Sequence, residues 1–170
     1  MCNFGNIVVG ATKKKAFQMS NASHTGPMSW VTDKGALASC GFVVEPDKIQ
    51  KLPEGESVDV LVRFTAKGVA AKVGPKKAIL PVQVKNAPTV QIILQANVCL
   101  PEIQMSSTVI SFGSVYLGQS RRILVSFHNV SPVTAQWSFK RPIDAHEESK
   151  IVFTPTSGSL RAGKKVRNIQ

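Results

Sequence analysis

Two clusters of basic side chains are the residues in this sequence with the clearest chemistry. Lys13, Lys14 and Lys15 are consecutive, and Arg121 and Arg122 form a second cluster 108 positions further along the chain. Closely spaced cations attract anionic surfaces, which include nucleic acid, acidic lipid and acidic protein. Charged side chains at turns and strand edges also keep a protein soluble and block edge pairing. The clusters therefore have two interpretations, contact with an acidic partner or protection of an edge.

The composition of the whole chain favours protein over nucleic acid as the acidic partner. The 170 residues include 21 Lys and Arg but only 10 Asp and Glu, which gives a net charge of +11. Single-stranded nucleic acid is bound by aromatic side chains that stack on bases between basic residues. Aromatic residues make up only 6% of the sequence and are not interleaved with the basic clusters. Nucleic acid is therefore a disfavoured partner.

Catalytic and ligand-binding motifs are missing from the sequence. It contains no GxSxG, GxGxxG, GxxxxGK[ST] or HExxH pattern, and its three histidines are scattered. Asp144, Glu147 and Glu148 form an acidic cluster, but basic neighbours on both sides indicate a solvated loop rather than a metal site. We therefore predict a protein that is not an enzyme, with no cofactor, no metal and no small-molecule substrate.

The basic clusters belong to a repeat. The segment "FGNIVVGATKKKAFQMSNAS" begins at Phe4, and "FGSVYLGQSRRILVSFHNVS" begins at Phe112. The identical pairs are Phe4/Phe112, Gly5/Gly113, Gly10/Gly118, Asn21/Asn129 and Ser23/Ser131. Further landmarks follow in the same order, namely Trp30/Trp137, Pro46/Pro155, Leu52/Leu160 and Gly55/Gly163. A repeat on this scale predicts tandem domains.

The local patterns within each repeat predict β-strands. Residues 58–64 and 90–100 alternate between apolar and polar side chains, as does the shorter stretch 123–127, which is typical of half-buried strands. Turn-like sequences separate the strands: "TGP", "LPEGES", "VGPKK", "KNAPT" and "TSGS". No segment has a convincing apolar stripe of helical period. The predicted fold is all-β, with tandem immunoglobulin-like antiparallel β-sandwiches.

The two predicted domains are unequal. Residues 1–100 form the first sandwich, which lacks its first strand because nothing before Phe4 corresponds to "PEIQMSSTVIS" before Phe112. Residues 101–170 form the second sandwich, which is truncated at its C-terminus because the later strands of the first repeat have no counterpart. An incomplete sandwich exposes strand edges and core residues.

The cysteines and the apolar runs predict a cytosolic protein. Cys2, Cys40 and Cys99 are an odd number without CxxC spacing, which favours free thiols in a reducing compartment. The sequence has no apolar run near the ~20 residues that a membrane span needs. We also expect no secretory signal, so the N-x-S matches at Asn21 and Asn129 would not be glycosylated.

The repeated residues are predicted to determine the fold rather than to bind ligands. A Phe can anchor the first strand in the core, and the Gly after it can allow a bulge. An Asn at a strand end can close a turn on its own backbone, and a Trp can bridge two sheets. The predicted fold determinants are Phe4, Gly5, Gly10, Asn21 and Trp30 in the first repeat and Phe112, Gly113, Gly118, Asn129 and Trp137 in the second.

At these landmarks the sequence resembles the ASH domains of the major-sperm-protein and PapD-like superfamily. Tandem repetition is most similar to the Hydin-type axonemal proteins of motile cilia. The resemblance implies sandwiches of seven to eight strands and a scaffold role in the axoneme, at the central-pair apparatus. It also implies a place in the cytoplasm and cytoskeleton, with other axonemal proteins and the acidic surface of microtubules as partners. The alternative is an adaptor that binds short acidic peptide motifs at a membrane or a centrosome.

Overall fold

The computed structural model describes residues 1–24, 26–140 and 151–169. The acidic cluster of Asp144, Glu147 and Glu148 lies outside the described residues. The chain divides into two compact units, Met1–Cys99 and Leu100–Gln170, which we call unit 1 and unit 2.

The described residues of unit 1 form eight strands and two short helical segments. The strands are β1 (Cys2–Val8), β2 (Thr12–Ser20), β3 (Met28–Thr32), β4 (Phe42–Glu45), β5 (Lys48–Leu52), β6 (Ser57–Thr65), β7 (Gly74–Val84) and β8 (Val90–Cys99). The strands predicted over 58–64 and 90–100 correspond to β6 and β8. Helix α1 (Lys34–Ser39) and a 3₁₀ turn (Gly68–Ala71) were not predicted, because a segment this short shows no helical period. Asp33 caps α1 by accepting a 2.8 Å hydrogen bond from the backbone N–H of Gly35.

The strands of unit 1 form two sheets. One has the order β1-β8-β7-β3-β5 and the other β2-β6-β4. The prediction of an all-β sandwich is confirmed, with one difference from the expected antiparallel pattern, since β1 and β8 pair in parallel. Parallel neighbours need a long connection, and these two strands are the first and last of the unit.

Alternation of apolar side chains builds the core of unit 1. Val60, Val62 and Phe64 of β6 are fully buried, and the residues between them face outward. The ring of Phe64 lies 4.7 Å from that of Phe42 and 6.2 Å from that of Phe4, measured between centroids. These contacts join β6 and β4 of one sheet to β1 of the other.

Unit 2 repeats part of this architecture. Its strands are β9 (Ile103–Met105), β10 (Val125–Asn129), β11 (Ala135–Ser138), β12 (Ser157–Leu160) and β13 (Lys165–Ile169). They form a sheet of order β13-β10-β9 and a separate β11-β12 pair. The pairing of Phe127 with Val166 corresponds to that of Met19 with Val58, 108 positions earlier. The last four strands of unit 2 are therefore the counterparts of β2, β3, β5 and β6.

The second Phe-Gly segment does not form the predicted strand. Phe112 is half-buried and lies outside regular structure, whereas Phe4 is 1% exposed within β1. In unit 1 this segment is held by β8, and the described residues of unit 2 contain no counterpart of β8. The apolar side chains that follow, Val115, Tyr116 and Leu117, are exposed. Over its described residues, the second sandwich is incomplete, as predicted.

Two of the predicted turns are wrong. Lys76 and Lys77 of "VGPKK" lie in β7, where they pair with Ala96 and Gln95 of β8. The "TSGS" segment contributes to β12. Gly, Pro and Ser are common in turns, but in both places a neighbouring strand supplies backbone partners that outweigh the local preference. The predicted turns "LPEGES" and "KNAPT" connect strands as expected, with turn hydrogen bonds at Glu56 and Ala87.

Candidate protein-interaction surfaces

Lys13 and Arg121, predicted as contacts for an acidic partner, bind their own units. Lys13 Nζ donates a 2.7 Å hydrogen bond to the backbone oxygen of Phe4. Arg121 Nη1 donates a 2.7 Å hydrogen bond to the backbone oxygen of Phe112. The four residues occupy corresponding positions of the repeat. In each unit the first residue of the basic cluster therefore ties the turn region to the Phe-Gly segment.

The glycine after each Phe makes this contact geometrically feasible. Gly5 and Gly113 have φ angles of +67° and +63°, a region that favours glycine. In unit 1 the β1–β8 register shifts between Asn3 and Asn6, so a bulge interrupts the ladder there. A side chain at residue 113 would start 3.1 Å from Arg121 Nη1. Glycine thus provides the bend in both units and, in unit 2, the space for the cation.

The remaining members of the clusters stay exposed. Within the described residues, Lys14, Lys15 and Arg122 have no ion pair or hydrogen bond through their side chains. Lys14 lies on β2 opposite Arg63, which forms a 3.4 Å ion pair with Glu45. Lys14 and Arg122 are repeat counterparts, so each unit presents one exposed cation directly after its tethered one.

One of these cations, Lys15, influences the pKa of the Cys2 thiol. Its partial burial raises the pKa of the thiol, and the positive charges of Lys15 and the N-terminus oppose that rise. Because burial is the larger effect, the thiol is held in its protonated form at neutral pH. This environment does not favour a reactive thiolate.

The two repeated asparagines form matching hydrogen-bond networks. Asn21 Nδ2 donates to the oxygens of Gly26 and Leu52 at 3.1 and 3.0 Å. Asn129 Nδ2 donates to the oxygens of Val133 and Leu160 at 2.8 and 2.9 Å. Each Asn Oδ1 accepts the backbone N–H two residues later, which closes a turn at the strand end. Both side chains are buried, so the N-x-S pattern here serves the turn.

The two tryptophans differ in burial. Trp30 is 3% exposed within the core of unit 1. Trp137 is half-buried, with its ring edge-to-face against Phe127 at a centroid distance of 4.9 Å.

The other predicted fold determinants, Gly10 and Gly118, have φ angles of +85° and +80° at the turns after the Phe-Gly segments.

A groove that the sequence analysis did not identify lies on the outer side of the β5-β3-β7 region. It has a volume of about 450 Å³, and its basic lining residues are Lys48 and Lys85. Exposed Val31 of β3 lies between Lys48 of β5 and Gln83 of β7 in the strand register. These residues are distant in sequence and only the non-consecutive strand order brings them together. No local pattern could have indicated them.

Unit 2 has a groove at the corresponding place, but with different chemistry. Its volume is about 440 Å³, and its polar lining consists of Gln136, Ser138, Ser157 and Ser159 around Trp137. The positive charge is therefore a property of the groove in unit 1 and is not repeated.

The remaining chemistry is sparse in the part of the chain that the structure describes. No group of three or more His, Cys, Asp or Glu side chains there could hold a metal ion. All three cysteines are free thiols. No helix within these same ranges is long and apolar enough to cross a membrane.

Comparison with curated proteins identifies relatives that extend over most of the chain. The human Hydrocephalus-inducing protein homolog is 33% identical over 148 residues, which cover 86% of this chain and 3% of that protein. The mouse Hydrocephalus-inducing protein is 30% identical, with 99% of this chain and 4% of that protein covered. Human Deleted in lung and esophageal cancer protein 1 is 26% identical over 93% of the chain and 9% of its own length. The chain thus spans less than a tenth of each of these relatives.

The other comparisons add less. No protein-family model matches the chain. Among solved structures, the CupB2 chaperone of Pseudomonas aeruginosa is 11% identical, with a TM-score of 0.38 over 91% of this chain and 80% of that one. The CsuC–CsuE chaperone–adhesin complex of Acinetobacter baumannii gives 14% identity and a TM-score of 0.37 over 98% and 84%. The all-β fold rests on the strand pairings described above.

Proposed function

We propose that this chain is a non-enzymatic scaffold module of a cilium-associated structural protein, located in the axoneme of motile cilia at the central-pair apparatus. The observation that carries the proposal is the 30–33% identity to two mammalian Hydrocephalus-inducing proteins, in one case over 99% of the chain. These relatives correspond to the Hydin-type proteins that the repeat landmarks resemble. The module would act through contacts with other axonemal proteins.

The exposed cations give the scaffold a way to contact an acidic polymer. Lys14, Lys15 and Arg122 point to solvent without a described partner, whereas Lys13 and Arg121 are used internally. Tubulin presents an acidic surface, and several exposed charge contacts would give attraction that salt weakens. Each contact is weak on its own, so binding would depend on many units in one protein.

Localisation of the full parent protein tests the proposal directly. The tagged protein should lie along the axoneme of multiciliated cells and remain there after detergent extraction. Signal on internal membranes that detergent removes would contradict the scaffold proposal.

Co-sedimentation with microtubules tests the role of the cations. Reversal of Lys14, Lys15 and Arg122 to Glu should reduce binding and flatten its dependence on salt. A control with the same change in charge reverses Lys67, Lys72 and Lys164, which are exposed elsewhere. Equal loss in both variants would show that only net charge matters and would remove the assigned residues from the proposal.

The adaptor alternative is supported by the groove in unit 1. Lys48 and Lys85 could pair with carboxylates of an extended acidic peptide, while exposed Val31, opposite Lys48 in the strand register, offers an apolar contact. Titration with acidic peptides should show binding that Lys48→Glu and Lys85→Glu abolish and Lys14→Glu leaves intact. No binding to wild-type protein at low salt would exclude this function.

A further inference from the structure

Strand β2 of unit 1 has one edge that no strand covers in the described parts of the chain. It lies at the end of the sheet β2-β6-β4 and pairs only with β6. The backbone N–H of Asn21 donates to Glu56 on the β6 side. Because successive residues of an antiparallel strand turn their backbone groups to opposite sides, Gln18, Ser20 and Ala22 direct theirs away from β6. We call these three residues the β2 edge.

The corresponding edge of unit 2 is occupied. Strand β10, the counterpart of β2, has β13 on one side and β9 on the other. The backbone N–H of Ser106 donates to Ser126 at 2.9 Å, and that of Val130 donates to Glu102 at 3.1 Å. Ser126 and Val130 are the counterparts of Gln18 and Ala22. Strand β9 therefore uses the positions that remain open in unit 1.

Side chains are also more deeply buried on β10, whose edge is occupied, than on β2, whose edge is open. Val125 and Phe127 of β10 are 5% and 4% exposed, and Ile103 of β9 packs against their cluster. Their counterparts in β2, Phe17 and Met19, are only half-buried although unit 1 has the larger core. Apolar surface thus remains accessible beside the open backbone groups.

We infer that the β2 edge binds an extended strand of the β9 type, with apolar side chains at the positions that Ile103 and Met105 occupy in β9. The strand runs antiparallel to β2 and places apolar side chains opposite Met19 and Asn21, as Met105 and Ile103 lie opposite Phe127 and Asn129. Main-chain hydrogen bonds give the affinity, and the alternating apolar positions give the specificity. The inference does not depend on the location or function proposed above.

The basic cluster limits where such a strand can bind. Lys13, Lys14 and Lys15 occupy the first half of β2, and charged side chains oppose strand pairing at an edge. From Ala16 to Ala22 the strand and its extension carry no charge. In unit 2 the contact likewise stops at Ser126, before Arg121 and Arg122 are reached. The open stretch has the length that β9 covers.

A graft into the full chain tests the inference. Residues 101–108, "PEIQMSST", are added before Met1, which leaves six residues between the grafted Met and Phe4, as between Met105 and Phe112. Amide hydrogen exchange at Ser20 should slow by at least about tenfold, while Lys14, whose N–H faces the same side, keeps its rate. The thermal midpoint of unit 1 should rise by about 4 °C or more.

Matched controls separate strand pairing from a general effect of the extension. A graft that carries Pro in place of its Gln removes the central N–H of the added strand, so protection at Ser20 should disappear. In the host, Ser20→Pro should abolish the effect of the graft, whereas Ala16→Pro, on the same edge but outside the contact, should not. Protection that persists with the Pro-containing graft would overturn the inference, as would no protection at all.

The same strand is then supplied as a separate peptide. Pro101–Ser107 as a synthetic heptapeptide should shift the amide resonances of the β2 edge, and the peptide with an N-methylated Gln should not. Self-association of the wild-type chain by pairing of β2 with β2, seen as a dimer that protects Ser20 while Ser106 stays bonded to Ser126, would overturn the assignment of a β9-type occupant.

Discussion

At the scale of single residues, the first prediction concerns Lys13, whose side chain is hydrogen-bonded, and Lys14, whose side chain is exposed. Lys13→Met should lower the free energy of unfolding of unit 1 by about 1 kcal/mol, because the oxygen of Phe4 loses a charged donor. Lys14→Met removes the same charge from an exposed side chain and should change stability by less than about 0.5 kcal/mol. Urea unfolding followed by the fluorescence of Trp30, in a Trp137→Phe background, measures both.

Arg121 and Arg122 provide the same comparison in unit 2. Arg121→Met should destabilise the unit and Arg122→Met should not, with Trp137 as the fluorophore. Equal effects of the two substitutions would show that the hydrogen bond to Phe112 contributes nothing beyond charge.

A buried hydroxyl, that of Thr32, leads to a prediction of increased rather than decreased stability. Thr32 is 6% exposed, and its Oγ1 has no hydrogen-bond partner among the described residues. Thr32→Val replaces this hydroxyl with a methyl group of similar size and should stabilise unit 1 by about 1 kcal/mol. Thr12→Val is the matched control, since Thr12 is an exposed strand residue whose hydroxyl contacts that of Thr65. A lower thermal midpoint for Thr32→Val would mean that Oγ1 is satisfied.

At the scale of elements, the β11–β12 pair depends on a glycine. A Cβ on Gly158 would lie 2.9 Å from Cζ2 of Trp137, which faces it across the pair. Gly158→Ala should therefore displace the indole from Phe127 and Phe139 and destabilise unit 2 by about 1–3 kcal/mol. Ser159→Ala on the same strand serves as the control because its side chain is exposed. Near-UV circular dichroism of Trp137 should change in the first variant only.

Elements with local signals were the ones that the sequence could predict. The alternation in β6 and β8 requires only that one face of the strand be buried. It can therefore be recognised without knowing which strands pair with them. The Asn-x-Ser turns are equally local, because Asn21 and Asn129 bond to the residue two positions later. Tethering by Lys13 could not be inferred, since its acceptor is the backbone oxygen of Phe4, nine positions away, which no side-chain pattern indicates. The groove between Lys48 and Lys85 likewise exists only after β3 lies between β5 and β7.

At the scale of the whole chain, the repeat is preserved where both units contain the partner strands and is lost where they do not. The pairings of Phe127 and His128 keep the register of Met19 and Ser20, and the asparagine networks are reproduced. The Phe-Gly segment keeps its tether to Arg121 but not its strand. Sequence similarity between repeats therefore reports shared contacts within a unit more reliably than shared secondary structure.

The difference in core size between the two units predicts that they unfold separately. Sixteen buried apolar residues form the core cluster of unit 1, against three in unit 2, counted over the described residues. Since burial of apolar surface is the main source of stability, unit 2 should unfold at the lower urea concentration. Trp30→Phe leaves a fluorophore in unit 2 only, and Trp137→Phe leaves one in unit 1 only.

The two single-tryptophan variants should give midpoints that differ, with the Trp137 signal changing first. Coincident midpoints would show that the units unfold as one cooperative body. If the transitions are separate, a β9-type strand grafted onto unit 1 should move only the later one, because the β2 edge belongs to that unit alone. Chain stability in a long array would then be set unit by unit, according to whether each β2-type edge is filled.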